Sequence, residues 1–206
     1  MKPAPAARRG RPRTFDRQEA LCAALRVFRE HGYEGTSLAE LQKAMGDLSP
    51  PSLYAAFGSK EELFKEAVEL YRKHIGALAA RALEQATTTK AAIDALLRST
   101  IAAVTEAGEP RGCLLVQGAL NCSPEGEDVQ NYLHELRSET HRMVTKRFKA
   151  GLAAADIPAD TDVAALASFY TTVIHGLAIQ ARDGASRASL TAAVDCAMAA
   201  WDALVR

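Results

Sequence analysis

The segment from Ser49 to Lys60, SPPSLYAAFGSK, constrains the fold more than any other part of this 206-residue chain. Ser49 is a helix-capping residue, and the two prolines after it suit the first helical positions, where no backbone N–H donor is needed. Gly58 ends the predicted helix, and Ser59 opens the next one. Because a helix of about two turns is unstable alone, neighbouring helices must present it. A short helix that neighbouring helices hold in place is typical of a recognition helix.

Two further helices are predicted immediately before this segment. The first begins at about Asp16 and ends at His31, with apolar residues at helical spacing. The second begins at Ser37, which opens the capping pattern S-x-x-E, and ends at Gly46. A longer helix followed by two short helices across a tight glycine turn is typical of a helix-turn-helix unit.

The rest of the chain also has helical periodicity, and no run of β-branched residues alternates with a period of two. The predicted fold class is therefore all-α, with about nine helices. The six helices after the recognition helix are predicted to begin near Ser59, Thr89, Cys113, Ser123, Pro158 and Ser186.

Basic residues are concentrated at the N-terminus. Residues 1–13 contain five basic residues and no acidic one, although the net charge of the whole chain is zero. Arg9, Arg11 and Arg13 alternate with glycine and proline as in an AT-hook core, which places arginines in a narrow A·T-rich minor groove. The alternative is a solvated, disordered tail. A basic arm on an acidic body favours a polyanion held at one end.

Several classes of protein are disfavoured. No apolar run approaches the roughly 18 residues of a membrane span, and no signal peptide is recognisable, so we expect a cytoplasmic protein without a membrane partner. The four cysteines lack the spacing of a zinc site, and we expect no metal and no cofactor. No phosphate-binding glycine loop or nucleophile motif is present, which argues against an enzyme.

Residues 14–64 closely resemble the DNA-binding domain of TetR-type (TetR/AcrR) transcriptional regulators. The second half resembles this family only in the number, order and length of its helices. The resemblance implies a disordered basic arm at 1–13, a helix-turn-helix DNA-binding domain at 14–58, and a helical effector-binding and dimerisation domain at 59–206. One difference is an extra residue between the second and third helices. The marks of the resemblance are Gly32-Tyr33, Thr36-Ser37, Leu53-Tyr54, Phe57 and Ser59-Lys60-Glu61.

The predicted DNA contacts lie on the basic arm, at helix N-termini and on the recognition helix. Free N–H groups and hydroxyls at helix starts bind phosphates, and the leading end of a recognition helix enters the major groove. The resemblance implies that Tyr54 contacts a phosphate. Prolines offer only apolar contact to thymine methyl groups, so DNA shape is expected to contribute to specificity. The predicted residues are Arg9, Arg11, Arg13, Thr36, Ser37, Ser49, Pro50, Pro51, Ser52, Tyr54 and Lys60.

The resemblance also implies a small-molecule cavity and a two-fold interface in the second half. Candidate effector contacts, most of them polar residues within apolar helices, are Cys113, Gln117, Asn121, Phe169 and His175. Candidate interface residues on the last two long helices are Val173, Leu177, Leu190, Val194 and Trp201. In the alternative interpretations, the polar residues form their hydrogen bonds within the protein core, and the apolar faces pack only within the core of the monomer. Cys113 and Cys122 are also candidates for sensing oxidation or an electrophile.

These expectations combine into one predicted function. The chain is expected to be a ligand-responsive repressor that binds a palindromic double-stranded operator as a homodimer and leaves it when a small-molecule effector binds. The long fourth helix is the expected lever between the effector and the DNA. The alternatives are a ligand-independent or architectural DNA-binding protein, which predicts a steep salt dependence, and a transcriptional activator of the same fold.

Overall fold

The computed structural model describes residues 16–205, and the regular structure in this range is helical, without strands. This confirms the predicted all-α class. The predicted basic arm, including Arg9, Arg11 and Arg13, lies outside the described residues. The helices are α1 (Arg17–His31), α2 (Leu38–Ala44), α3 (Pro50–Phe57), α4 (Lys60–Gln85), α5 (Thr89–Val104), α6 (Leu114–Gln117), a 3-10 turn (Pro124–Gly126), α7 (Glu127–Ala153), α8 (Val163–Arg182), α9 (Arg187–Ala199) and α10 (Trp201–Leu204).

The first three helices begin at the capping residues that the sequence predicts. Asp16 accepts hydrogen bonds from the backbone N–H groups of Gln18 and Glu19. Ser37 forms a reciprocal capping box with Glu40, which holds two backbone donors at the start of α2. The side chain of Ser49 caps α3, and prolines occupy its first turn.

The turn between α2 and α3 accommodates its extra residue through two consecutive left-handed conformations. Gly46 has φ 85° and Asp47 has φ 58°. Glycine adopts this region without steric penalty, and aspartate is one of the few other residues that enters it. The N–H of Leu48 then donates to the carbonyl of Gln42 at 3.0 Å. Leu48 packs against the core of the unit, and α3 starts at the expected residue.

One hydrophobic core joins the three N-terminal helices to later parts of the chain. The rings of Phe28 in α1 and Phe64 in α4 meet edge to face, with centroids 4.9 Å apart. Leu114 from α6 and Leu133 from α7 belong to the same core. This core therefore crosses residue 58, the predicted boundary between the DNA-binding domain and the rest of the chain.

A second core lies between α5, α7, α8 and α9. Three aromatic residues stack at its centre: Phe148 lies 6.0 Å from Tyr170 and 5.8 Å from Trp201, measured between ring centroids. The C-terminal half of α4 contributes partly buried residues to this core, among them Leu83. Since α4 packs on both cores, it links the helix-turn-helix unit mechanically to the second half of the molecule.

Three helices differ from their predicted lengths. The helix predicted to begin near Cys113 is a single turn, and the carbonyl of Gly118, directly after it, accepts a hydrogen bond from the N–H of Tyr33 at 2.7 Å. The eighth helix begins after Asp162, whose side chain caps it, and not at Pro158. The last helix is interrupted at Ala200, and a short α10 follows.

The apolar character of α8 exceeds what the sequence pattern indicated. Among the described residues, α8 is the one helix that is long and apolar enough, by length and composition alone, to cross a membrane. A core helix of a globular protein passes the same test, and α8 supplies seven of the twenty buried residues of the second core, more than any other helix. We therefore treat α8 as a packing helix.

The left-handed turn predicts opposite effects of two glycine-to-alanine substitutions. An added Cβ meets no atom within 4 Å at either Gly46 or Gly76, so only the backbone conformation distinguishes them. Gly46→Ala, at φ 85°, should lower the free energy of unfolding by about 1–2 kcal/mol. Gly76→Ala, within α4, should raise it by about 0.5–1 kcal/mol. Urea unfolding at one protein concentration measures the free energy of unfolding of both variants. A higher value for Gly46→Ala would contradict the left-handed turn conformation.

Candidate DNA-binding surface and effector cavity

The recognition helix α3 has one buried and one exposed side. Leu53 and Phe57, spaced four residues apart, are almost completely buried and hold the helix on the N-terminal core. On the other side Tyr54 is 45% exposed, and its ring is free to meet a partner. The predicted base-facing residues Ser49, Pro50, Pro51 and Ser52 are all exposed.

The two hydroxyl residues before α2 are placed differently from each other. Thr36 is buried, and its hydroxyl donates to the carbonyl of Gly32 at 2.6 Å, so it closes the turn after α1. Ser37 is exposed, and its hydroxyl donates to the Glu40 carboxylate at 2.7 Å. These hydrogen bonds from the Ser37 backbone and side chain lower the pKa of Glu40. Of the two residues, only Ser37 has a side chain that can reach a phosphate.

Lys60 lies at the start of α4 and is positioned by an aromatic ring. Its ammonium group is 4.5 Å from the centroid of the Tyr33 ring, within cation–π distance. Tyr33 in turn packs edge to face on Phe64 of the N-terminal core. Partial burial lowers the pKa of Lys60, and the Glu34 carboxylate opposes this shift. The charge is thus held beside α3.

A cavity of about 290 Å³ lies behind the helix-turn-helix unit, between α4, α5, α6, α7 and α8. This volume is at the small end of the range for ligand-binding pockets. Its wall is mostly apolar, and among the side chains that form it are Ile75, Leu78, Leu96, Val104, Val116 and Met143.

Polar side chains interrupt this apolar wall, and four of them, Tyr71, Cys113, Arg137 and His175, form no ion pair within the described residues. The hydroxyl of Tyr71 is buried and forms no well-aligned hydrogen bond among residues 16–205. Arg137 donates one hydrogen bond, to the carbonyl of Leu115 at 2.9 Å, and burial lowers its pKa. Burial first, and the Arg137 charge second, lower the pKa of His175, so its ring is neutral near pH 7.

The structure brings two of the five predicted effector residues to the cavity, namely Cys113 and His175. Gln117 faces a separate cleft between α1, α6 and α8, and its amide donates to the carbonyl of Ala178 at 2.8 Å. Asn121 is exposed, because α6 ends four residues before it. Phe169 is 39% exposed on α8 and does not line the cavity.

Sequence reasoning missed the two cavity residues Tyr71 and Arg137. Tyr71 fits the apolar stripe of the fourth helix, and Arg137 directly follows an apolar stripe residue of the seventh. Their helical spacing alone gives the same signal as a core tyrosine and a surface arginine. A tyrosine hydroxyl within an otherwise continuous apolar stripe was the one available indication.

The two half-buried thiols considered as sensors differ in their surroundings. Cys122 lies near Glu34, and burial first and this carboxylate second raise the pKa of the Cys122 thiol. A raised pKa reduces the thiolate population and hence the reactivity. Cys113 lies at the cavity wall, where α6 begins.

The C-terminal end of α1 is joined to the elements that surround the cavity. The guanidinium of Arg29 is 8% exposed, pairs with Glu109 at 2.9 Å and donates to the carbonyl of Pro110 at 2.7 Å. Arg182, at the end of α8, donates to the backbone carbonyls of Arg29 and Glu30. We call Arg29, Glu109, Pro110 and Arg182 the α1 clamp. It connects the helix-turn-helix unit to α8 and to the loop between α5 and α6.

Four of the five predicted interface residues lie in the core of the monomer. Leu177, Leu190, Val194 and Trp201 are almost completely buried in the second core, because the face that carries them packs on α5 and α7. Val173 is only partly buried beside this core. Metal binding has no candidate in residues 16–205, where no group of three or more His, Cys, Asp or Glu side chains is placed around a common ion.

The exposed recognition helix and the cavity behind it define a helix-turn-helix DNA-binding regulator with a helical second domain. Residues 20–67 match the family model for bacterial regulatory proteins of the tetR family. Residues 89–197 match the model for the tetracyclin repressor-like C-terminal domain. The chain belongs to the TetR family.

Individual relatives agree with this assignment. The chain is 34% identical over 202 residues to the HTH-type transcriptional repressor ComR of Escherichia coli K12, covering 96% of this chain and 94% of ComR. It is 28% identical to the repressor BdcR of the same organism, covering 89% of this chain and 87% of BdcR. These relatives are transcriptional regulators, which confirms that the chain is a regulator and not an enzyme.

A solved structure of a relative includes DNA. The TetR family regulator CifR, as a cysteine mutant complexed with 26bp double-strand operator DNA, is 46% identical to this chain and superimposes with a TM-score of 0.88. The match covers 93% of this chain and 100% of that chain. A TetR regulator from Rhodococcus sp. RHA1 is 38% identical, with a TM-score of 0.60 and coverage of 92% and 99%.

The α1 clamp predicts unequal effects of two glutamate substitutions in one loop. Glu109→Gln leaves the buried Arg29 charge without its carboxylate and should lower the free energy of unfolding by about 3 kcal/mol. Glu106→Gln removes an exposed carboxylate 3.8 Å from His74 and should change the free energy of unfolding by about 1 kcal/mol or less. Denaturant unfolding of the two variants checks this, and equal effects would show that the clamp contributes little.

Proposed function

We propose that this protein is a ligand-responsive transcriptional repressor that binds a palindromic double-stranded operator as a homodimer in the cytoplasm, and that a small-molecule effector releases it. One observation carries the proposal. The core that supports the recognition helix also includes residues of α6 and α7, which form walls of the effector cavity. A ligand in the cavity therefore acts on elements that hold the DNA-binding helices.

The proposed DNA contacts follow from exposure and charge. Ser49, Pro50, Pro51 and Ser52 meet the major groove, and Tyr54 donates to a phosphate. Ser37 and Lys60 bind DNA phosphates on either side of α3. The buried Thr36 hydroxyl instead supports the turn after α1. Since α3 offers few hydrogen-bonding groups, the arm residues Arg9, Arg11 and Arg13 contribute by occupying a narrow minor groove.

Repression is favoured over activation by the relatives. ComR and BdcR, which match nearly the whole chain, are both named as transcriptional repressors. CifR, which shares the fold, forms a complex with operator DNA. A protein that covers its operator blocks transcription by occupancy alone, so repression requires no further contact with the transcription machinery.

The outward face of α8 supports a homodimer. Phe169 and Ile179 are exposed by 39% and 43%, and Thr172 and Gly176 lie between them at helical spacing on the same face. Exposed apolar residues that continue along one helix face mark an interaction surface. We propose this face, with the partly buried Val173, as the interface.

Helix α9 supplies a matching surface of small residues. Ala192, Cys196 and Ala199 are exposed at the same helical spacing. Small side chains let helices of two subunits approach closely. The buried residues Leu177, Leu190, Val194 and Trp201 hold α8 and α9 on the monomer core instead. A two-fold axis there would place two recognition helices about 34 Å apart, one helical turn of DNA.

The proposed switch uses two connections between the cavity and the DNA-binding helices. The first is α4, which lines the cavity with Tyr71 and begins at the DNA-facing Lys60. The second is the α1 clamp, through which α8 holds the end of α1. An effector that binds the released arrangement more tightly than the DNA-bound arrangement lowers operator affinity by that difference.

Selection of binding sites from random DNA tests the proposed function. The full-length protein should enrich a two-fold symmetric sequence with half-sites about one helical turn apart. On this operator, Tyr54→Phe should weaken binding by about 10-fold or more, because each bound subunit loses a hydrogen bond to a phosphate. Unchanged thermal unfolding serves as the folding control.

Two outcomes of this selection would contradict the proposal. Recovery of no preferred sequence, together with a steep salt dependence, would identify an architectural DNA-binding protein. Unchanged affinity of Tyr54→Phe would remove Tyr54 from the phosphate contacts.

The α8 interface predicts a change of oligomeric state. Phe169→Glu buries two like charges close to the two-fold axis and should convert the dimer to monomers at micromolar concentration. The matched control is Ala102→Glu, an apolar-to-glutamate change at an exposed position of α5. Analytical ultracentrifugation distinguishes the two variants. A Phe169→Glu protein that remains dimeric would place the interface elsewhere.

A further inference from the structure

The charges that line the cavity do not balance. Its two arginines are Arg72 and Arg137, and its carboxylate is Glu139. Arg72 forms ion pairs with Glu139 and with Glu69. Arg137 has no ion pair within the described part of the chain, and its one hydrogen bond goes to a backbone carbonyl. The cavity therefore holds one uncompensated positive charge.

A second polar group in the cavity also lacks a partner. Tyr71 is 4% exposed, and its buried hydroxyl has only the Cys113 thiol and the Leu114 backbone beside it, neither of which forms a well-aligned hydrogen bond with it. A buried hydroxyl without a good hydrogen bond is destabilising, which favours an acceptor supplied by a ligand. Cys113 lines the same cavity and is close enough to Tyr71 and to Arg137 to influence the pKa of each. The donor and the charge thus belong to one polar end of the cavity.

The other nearby groups add no negative charge to this end. The His175 ring beside Arg137 is neutral, for the reasons given above. The Arg29 guanidinium stacks on the Tyr71 ring, 5.1 Å from its centroid, but is already paired with Glu109. A neutral ligand would leave Arg137 unpaired, and a cation would be repelled. A dianion such as a phosphate monoester would bring one more charge than the site compensates.

We infer that the effector is a small, mostly apolar monocarboxylic acid whose carboxylate binds Arg137 and Tyr71 and whose body fills the apolar part of the cavity. Guanidinium groups bind carboxylates through two parallel hydrogen bonds, and the Tyr71 hydroxyl supplies a third donor. The volume of about 290 Å³ limits the body to a short chain or a single ring. The inference rests on the proposed function, in which this cavity is the effector site.

Matched probes that differ only in their polar group test the inference. The octyl set is octanoate, octan-1-ol and octylamine, and the aromatic set is 3-phenylpropanoate, 3-phenylpropan-1-ol and 3-phenylpropylamine. Calorimetric titration of the full-length protein should show each acid binding about 10-fold or more tightly than its alcohol. The amines should not bind.

Substitutions assign the preference to the named residues. Arg137→Gln should weaken binding of the acids by about 10-fold or more and leave the alcohols unchanged, and Arg137→Lys should keep part of the preference for acids. Tyr71→Phe should weaken the acids to a smaller extent. The matched control is Arg142→Gln, which removes an exposed charge on α7 outside the cavity and should change nothing.

Three results would overturn the inference: alcohols that bind as tightly as the acids, an Arg137→Gln variant that weakens both classes equally, or no binding of either acid at millimolar concentration. Thermal unfolding shows whether Arg137→Gln is folded. If it is not, the comparison of acids and alcohols on the unmodified protein tests the inference by itself.

Operator binding by the same preparation separates the two proposals. If the protein still binds its operator but shows no preference for acids, only the inference of a carboxylate ligand is overturned. If specific operator binding is absent, the proposed function is overturned.

Discussion

The edge-to-face packing of Phe28 on Phe64 fixes α1 to α4, and the rest of the structure depends on this contact. Helices α2 and α3 are too short to be stable alone, so their positions are set by the core that the two rings organise. Leu41, Leu53 and Phe57 complete that core from the helix-turn-helix side. Because α4 continues into the second half, any movement of its first turns moves the recognition helix as well.

The α1 clamp makes this connection two-sided. A lever formed by α4 alone would leave the end of α1 held only by local turns. Arg182 instead supplies hydrogen-bond donors to the last carbonyls of α1, which have no partner within their own helix. The buried Arg29 reaches in the opposite direction, to Glu109. In the proposed switch, α8 and the loop between α5 and α6 therefore connect the cavity to the DNA-binding helices, in addition to α4.

The cavity and the interface use different faces of α8. His175 and Ala178 face the cavity, whereas Phe169 and Ile179 face outward. One helix thus lines the proposed effector cavity, faces the partner subunit in the proposed dimer, and holds the end of α1. Its high apolar content fits a helix whose surface is shared between the second core, the cavity and the proposed interface.

Local signals determined most of the N-terminal unit. The capping residues Asp16, Ser37 and Ser49 fixed where its helices begin, because each supplies a hydrogen bond to a backbone group a few residues away. The spacing of Leu53 and Phe57 fixed which side of α3 is buried. The family resemblance was visible in the same residues, and the assignment of a DNA-binding regulator follows from them.

Contacts between distant residues decided the second half. The carbonyl of Gly118, directly after α6, accepts a hydrogen bond from the N–H of Tyr33, and no local pattern records this contact. An apolar stripe does not distinguish a face packed on the monomer from a face left for a partner, so Leu190 and Trp201 were predicted at the interface and lie in the core. The sequence by itself determined the helices, their order and the recognition helix. Only the tertiary structure decided that Tyr71 and Arg137 share a cavity, because 66 residues of chain separate them and packing alone brings them together.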